Sequence, residues 1–495
     1  MFVTTFDTVF LVLSILVIEL NGQVKDYVSF DQNTNQVYTQ IINLDYVLAK
    51  RTLASQVLPS RNKVKILLEN YNDFFRLFIH ENKVFYSKTK HLKAERIAKI
   101  QSSSLEDEWK NFLQAEIHLQ WALVHLKMED NFAAFQSTRQ ALELLESNKV
   151  NYPNFKYTYK SLGILHAILS TIPESFTWAT KLMGLSGTIK EAKLELDVFL
   201  QFAESEDHMM LDEAIAAKAF MLAYLENKSV EAYQYLSKRM VEVDPNPLMT
   251  FIHARIAMRA GYNDATINVI QSLPLDSRKK LPFLEYLLGI AKLQKLDDGA
   301  DSYFLNYVST FHGSSYIKEA YQKLAWNALI KGNVIKFEKY RTLCITKGSA
   351  VTDEDKQAQA EANRGVAMHP ALIQARLLSD GNYAILAEKK LIAQESSILS
   401  DPKFRLEYFY RLARIYQLQK NKKKALENFE RSIREDPSMK SFMSCNALLQ
   451  MGIMFEEVQD IVQARKFYKL VLDRSPDQYA RSLHQKAKAG LLRLK

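Results

Sequence analysis

Between Leu406 and Met439 large and small side chains alternate at helical spacing and the segment closes on a proline, and no other feature of the 495 residues constrains the fold as tightly. Large residues stand at Phe409, Leu412 and Tyr416, small ones at Ala413, Ala425 and Ser432, a further aromatic at Phe429 and a proline at Pro437. The three-and-four spacing of Phe409, Leu412, Ala413 and Tyr416 predicts one amphipathic helix, and that of Ala425, Phe429 and Ser432 a second. Two antiparallel helices approach closely only where small side chains meet. Large ones then fill the grooves beside them, and the proline stops the second helix.

A second copy follows with Leu448, Met451, Gly452, Phe455, Ala464, Tyr468, Val471 and Pro476 in the corresponding places, Val471 being the one oversized residue. The pattern resembles the tetratricopeptide repeat, a 34-residue helix–turn–helix unit. The resemblance implies an all-α fold: an α-solenoid of antiparallel helix pairs wound as a right-handed superhelix. After Pro476, "SLHQKAKAGLLRLK" has the form of a closing helix with a polar outer face, as the end of such an array requires. Upstream, the fragments "EIHLQWALVHLKMEDNFAAFQSTRQALELL", "AFMLAYLENKSVEAYQYLSKRMVEVDP", "ARIAMRAGYNDATINVIQSLP", "FLEYLLGIAKLQKLDDGADSYFLNYV", "AYQKLAWNALIKGNVIKFEKY" and "HPALIQARLLSDGNYAILAEKKL" repeat the order apolar, small, turn, apolar with decaying fidelity. The chain is thus expected to divide into residues 1–22, a leader; 23–205 and 206–400, degenerate repeats; and 401–495, two well-formed units and a cap.

Scarcity of 14 Gly and 11 Pro agrees with long helices and short connections rather than a many-stranded sheet. Residues 401–495 hold 20 Lys and Arg against 11 Asp and Glu, which is the whole net charge of +9, while the remaining 400 residues balance. The run Lys422, Lys423, Lys424 falls in this basic end, at the turn between two helices, where a solvated turn is expected. Cys344 and Cys445 sit among apolar neighbours and read as buried small hydrophobes, so a disulfide framework is excluded. Val9 to Ile18 carries no charge, is too short to span a bilayer, and suits the core of a signal peptide cleaved after Gly22. This places the protein outside the cytoplasm, in a bacterial periplasm or secreted; without it the protein is cytoplasmic.

Residues 352–364, "TDEDKQAQAEANR", are a polar helix started by Thr352; with no apolar stripe, the helix is expected to project or pack weakly. Around it, "YIKEAYQKLAW", "TDEDKQAQAEANRG" and "ARLLSDGNY" are similar to uncharacterised exported bacterial tetratricopeptide proteins. Pro173, Leu182, Gly184, Gly187 and Leu194 resemble the central part of the inclusion-body-clearance family, with Ala192 and Lys193 departing from it. Neither resemblance implies a catalytic residue.

No catalytic motif emerges. His118 and His125 are one helical face apart, with Glu116 nearby, yet lack a third ligand and fall on packing positions, so neither metal nor cofactor is expected. "GLSGTIK" at Gly184–Lys190 fails the phosphate-loop spacing. Aromatics sit at core spacings rather than on a stacking platform, so nucleic acid is not expected as a partner. The expected function is a non-catalytic scaffold holding a protein or peptide, because in such repeats the first helix of each pair lines the concave groove. Tyr410, Arg414 and Gln417, with Asn446, Leu449, Ile453 and Glu456, are the expected partner-binding residues, beside Glu407. The chaperone-tail carboxylate clamp is absent, since Tyr410, Arg414 and Gln450 replace its first three residues. Two alternatives stand: an enzyme or regulatory subunit with a pocket in the aromatic-rich N-terminal half, and docking of the basic end on an acidic membrane.

Overall fold

The computed structural model describes residues 25–55, 57–171, 185–206, 208–239, 246–365 and 368–494. The leader and its cleavage site, and Pro173, Leu182 and Gly184, lie outside the described residues. Among the described residues the chain is helical, with a single bridge between Tyr27 and Asn62 and no β-strand. No described helix is long and apolar enough to cross a membrane. Two compact units divide at Met249.

In the first unit run α1 (Gln32–Ile42), α2 (Tyr46–Ala54), α3 (Val64–His80), α4 (Lys83–Thr89), α5 (Leu92–Gln101), α6 (Asp107–Lys127), α7 (Asn131–Asn151), α8 (Tyr157–Leu169), α9 (Ile189–Ser205), α10 (Leu211–Phe220), continued by a π-helical turn over Met221–Leu225, and α11 (Ser229–Arg239). α12 (Pro247–Arg259) carries the chain into the second unit. There follow α13 (Asn263–Ser272), α14 (Leu275–Lys279), α15 (Pro282–Gln294), α16 (Ala300–Thr310), α17 (Ile317–Ile330), α18 (Val334–Thr346), α19 (Asp353–Arg364), α20 (Pro370–Asp380), α21 (Ala384–Ile392), α22 (Glu395–Leu399), α23 (Pro402–Leu418), α24 (Lys422–Arg434), α25 (Phe442–Glu457), α26 (Ile461–Leu472) and α27 (Ala480–Arg493).

One backbone turn joins the helices of seven pairs. Glu129, Gly261, Leu296, Gly332, Asn382, Lys420 and Gln459 are left-handed, with φ between 59° and 81°. The N–H of the following residue then reaches back five residues, from Asp130 to His125, Tyr262 to Ala257, Asp297 to Lys292, Asn333 to Ala328, Tyr383 to Leu378, Asn421 to Tyr416 and Asp460 to Phe455, at 2.8–2.9 Å. These Schellman-type bonds satisfy a carbonyl that the helix end would otherwise leave open. The eroded fragments read from the sequence each form a helix pair: α6 with α7, α10 and its π-helical continuation with α11, α12 with α13, α15 with α16, α17 with α18 and α20 with α21.

The small residues do what the spacing requires. Ala413, Ala425 and Ala464 are fully buried, Ala425 among Phe409, Tyr416 and Phe429. The Tyr468 ring lies between two glycines: a Cβ on Gly452 would sit 2.8 Å from it, and one on Gly490 closer still. α27 closes the array through Leu483, Ala487 and Gly490. Both thiols are free and buried.

α19 does not project. Ala358 and Ala362 bring it against α17 and α18 beside Cys344. The buried Asp355 carboxylate accepts the backbone N–H of Tyr316 (2.7 Å) and Glu319 (3.1 Å) and the Thr352 hydroxyl (2.8 Å). Alanine methyls and one satisfied carboxylate replace the apolar stripe, which is why an apolar count overlooks the contact.

The first unit packs an aromatic cluster around His208, whose ring centroid is 4.5 Å from Phe30 and 5.2 Å from Tyr157. Its Nδ1 accepts the Met210 N–H at 3.1 Å, which requires the neutral imidazole. Burial pushes the pKa of His208 down to about 4, and burial likewise lowers His125 to about 4 and His118 to about 3. An unfolded histidine titrates near ~6.5, so between that pH and 4 the unfolded chain binds protons that the folded one refuses, and stability falls as pH falls.

Three changes test these contacts. Gly490→Ala should lower stability by ~1–3 kcal/mol in urea unfolding, because the methyl meets the Tyr468 ring. Lys420→Gly should raise it by up to ~1 kcal/mol by removing the left-handed Cβ. In His208→Phe the slope of stability against pH between 6.5 and 4 should flatten by up to ~1.4 kcal/mol per pH unit, one proton's worth.

Candidate functional site

The first helices of the last pairs bring four of the expected groove residues into one ladder. Tyr410, Arg414 and Gln417 follow the three-and-four spacing of α23, and Asn446 and Gln450 that of α25, so the two rows face across the helix contact. Asn446 Nδ2 donates to the Tyr410 hydroxyl at 2.5 Å and Gln450 Nε2 to Asn446 Oδ1 at 3.4 Å. Arg414 Nη1 donates to Gln450 Oε1 at 2.7 Å and to Gln417 Oε1, while Gln417 Nε2 donates to the same Gln450 oxygen at 3.1 Å. Arg414 is half-buried, and both of these hydrogen bonds go to neutral amide oxygens.

The other three expected residues lie elsewhere. Leu449 is 1% exposed and packs in the core of α25–α27 with Tyr468, and Ile453 lies against the same core. Glu456 is bound bidentately by Arg493 of α27, at 2.6 and 2.8 Å, and accepts the Tyr468 hydroxyl. Arg493 first and Tyr468 after it hold the carboxyl of Glu456 below its ordinary range. Gln450 completes the ladder in their place; the sequence marks it by its place four residues after Asn446 and at the third position of the clamp pattern.

The lysine run is more than a solvated turn. Lys422 Nζ lies 4.7 Å from the centroid of Phe455, and Lys424 Nζ 4.9 Å from that of Tyr416, so two of the three ammoniums cover aromatic faces. Lys423 is exposed.

A second place of interest lies where α12, α15, α17 and α20 converge. The turn after α12 touches the turn after α20: Asn382 Nδ2 donates to the Gly261 carbonyl at 3.3 Å, and the Tyr383 hydroxyl donates to Asp264 at 2.9 Å. Gly261 combines positive φ with the close approach of Asn382, and an added Cβ would lie 3.0 Å from its amide nitrogen. These four helices line a cavity of about 200 Å³, with Arg255, Tyr286, Gln294, Glu319, Lys323 and Trp326 among its walls. Lys323 Nζ and Arg376 Cζ lie 4.1 and 4.6 Å from the Trp326 ring, and Trp326 Nε1 donates to Glu361 at 2.8 Å. The cavity has room for roughly six waters by their liquid volume.

In the first unit a buried ionic cluster joins five helices, α1, α3, α6, α8 and α10. Lys160 Nζ meets Glu213 at 2.7 Å, Glu116 at 3.0 Å and the Tyr71 hydroxyl at 3.2 Å, and Tyr38 donates to Glu213 at 2.6 Å. Burial opposes the Lys160 charge, but the two carboxylates outweigh it and pull its pKa up. Burial raises Glu116, Tyr38 and Tyr71. Every charge has a partner of opposite sign or a hydroxyl, an arrangement that locks these five helices together. His118 and His125 are buried alongside on α6, and His125 Nδ1 is 2.8 Å from the Tyr86 hydroxyl. No group of three metal-ligating side chains occurs among the described residues.

The model of the tetratricopeptide repeat family matches residues 406–439, the helix pair α23–α24. The chain therefore contains a tetratricopeptide repeat. No curated protein matches the sequence. Among solved structures it is similar to a human IFIT1 dimer with PPP-AAAA, at 16% identity over 82% of this chain and 96% of that one, TM-score 0.36. It is also similar to the yeast Tom70, at 14% identity over 87% and 88%, TM-score 0.32. Likeness at this level says nothing of what this chain binds.

Proposed function

We propose that the protein is a non-catalytic scaffold that holds a protein or peptide partner on the first-helix surface of its last helix pairs. One observation carries this reading: Arg414 is a half-buried cation whose side-chain hydrogen bonds are taken by Gln417 and Gln450. Neutral amides orient a guanidinium without cancelling its charge, so the ladder is set to take a carboxylate in two parallel bonds. Tyr410 and Asn446 beside it provide a hydroxyl and an amide of the kind that fixes peptide backbone. The partner presents an Asp, a Glu or a chain terminus to this ladder. The leader read from residues 1–22 supports an encounter outside the cytoplasm.

Panning a random peptide display library on the full chain tests the proposal. Peptides bearing Asp or Glu should be enriched, and Arg414→Gln should weaken their binding roughly tenfold or more, as expected for a charge-assisted pair. Enriched peptides that bind Arg414→Gln as tightly as the original, or a chain that selects short RNA instead, would overturn it.

A further inference from the structure

The second helix of several pairs begins with an aliphatic residue that packs against nothing. Ile335 in α18, Ile385 in α21 and Val462 in α26 are each the second residue of their helix, and they are 85%, 81% and 78% exposed. Val334, Leu386, Leu418, Val458 and Ile461 are exposed beside them on the same turns. The first turn of a helix favours acidic or capping side chains, and β-branched residues there contribute neither a cap nor packing. Recurrence at one register position in three of the second unit's pairs therefore has no explanation within the fold.

These turns form an edge. Gln419 donates to Glu388 (2.7 Å) and to the Ala384 carbonyl (3.4 Å), tying the turn after α23 to the start of α21, and Lys422 reaches Phe455 of the next pair. Between the turns after α20 and α23 lies an open dish of about 850 Å³ lined by Ile385, Leu386 and Leu418, with Lys389 and the Gln419-bound Glu388 at its margin. Exposed lysines stand among the aliphatic tips: Lys336, Lys389, Lys420 and Lys423, the last occupying in α24 the register position of Ile335, Ile385 and Val462.

We infer that this edge, from Val334 to Val462, docks on the surface of an anionic lipid bilayer. Separated aliphatic tips enter the boundary between headgroups and acyl chains, while lysines beside them take the headgroup phosphates and carboxylates. A folded protein partner would instead be met by a contiguous apolar centre inside a polar rim, whereas here charged residues part the tips from one turn to the next. The edge is made of turns and the Arg414 ladder of helix flanks, so both can be occupied at once.

Co-sedimentation of the full chain with vesicles decides the matter. Wild type should pellet with phosphatidylcholine vesicles containing phosphatidylserine and far less with phosphatidylcholine alone, the difference fading in high salt. The triple variant Ile335→Asp, Ile385→Asp, Val462→Asp, whose new residues suit a helix start, should keep its circular dichroism and partition roughly tenfold or more weakly. Lys420→Glu with Lys423→Glu should lose the preference for phosphatidylserine. The inference is overturned if wild type stays in the supernatant, if the triple variant pellets like wild type, or if light scattering shows wild type dimeric and the triple variant monomeric without vesicle binding, which would make the edge an interface between copies.

Discussion

Close approach of paired helices at a missing side chain is the constraint on which the second unit rests. Tyr468 can fill the space between α25 and α27 only because Gly452 and Gly490 leave it empty, and Ala425 and Ala464 let aromatic neighbours close over them. Dispersion contacts fall away steeply with a gap of even half an ångström or so, so the helix pair is held by the smallness of these residues as much as by the size of the others. The left-handed turn completes the arrangement by reversing the chain through the same backbone bond in each of these seven pairs.

The last two pairs were legible in the sequence because they keep the small residues at the crossings and the large ones beside them. Between residues 250 and 400 the crossings have drifted, and what persists is a backbone turn that tolerates Gly, Asn, Leu, Lys, Gln or Glu at its left-handed position. A pattern of side-chain sizes cannot reveal a turn that so many residues can make. The same limit hid α19, whose contact is made by alanines and one carboxylate, and it hid the meeting of Gly261 with Asn382, more than a hundred residues away.

The candidate ladder was half legible. Helical spacing assigned Tyr410, Arg414, Gln417 and Asn446 to one face, and they meet there. Spacing could not say that Leu449 and Ile453 turn toward the closing helix, because that depends on where α27 docks, nor that Glu456 is taken by Arg493, which is 37 residues distant. Local periodicity reports a residue's angle on its own helix, whereas the identity of the neighbour across the helix is a tertiary fact.

The contact between Gly261 and Asn382 has a mechanical consequence. An open array of helix pairs lengthens and shortens like a spring, each joint giving a little. Fastening the first turn of this stretch to its fourth turns it into a collar, whose joints can no longer open in series. Compliance in the second unit is therefore confined to the pairs after Asn382, the ones that carry the Arg414 ladder.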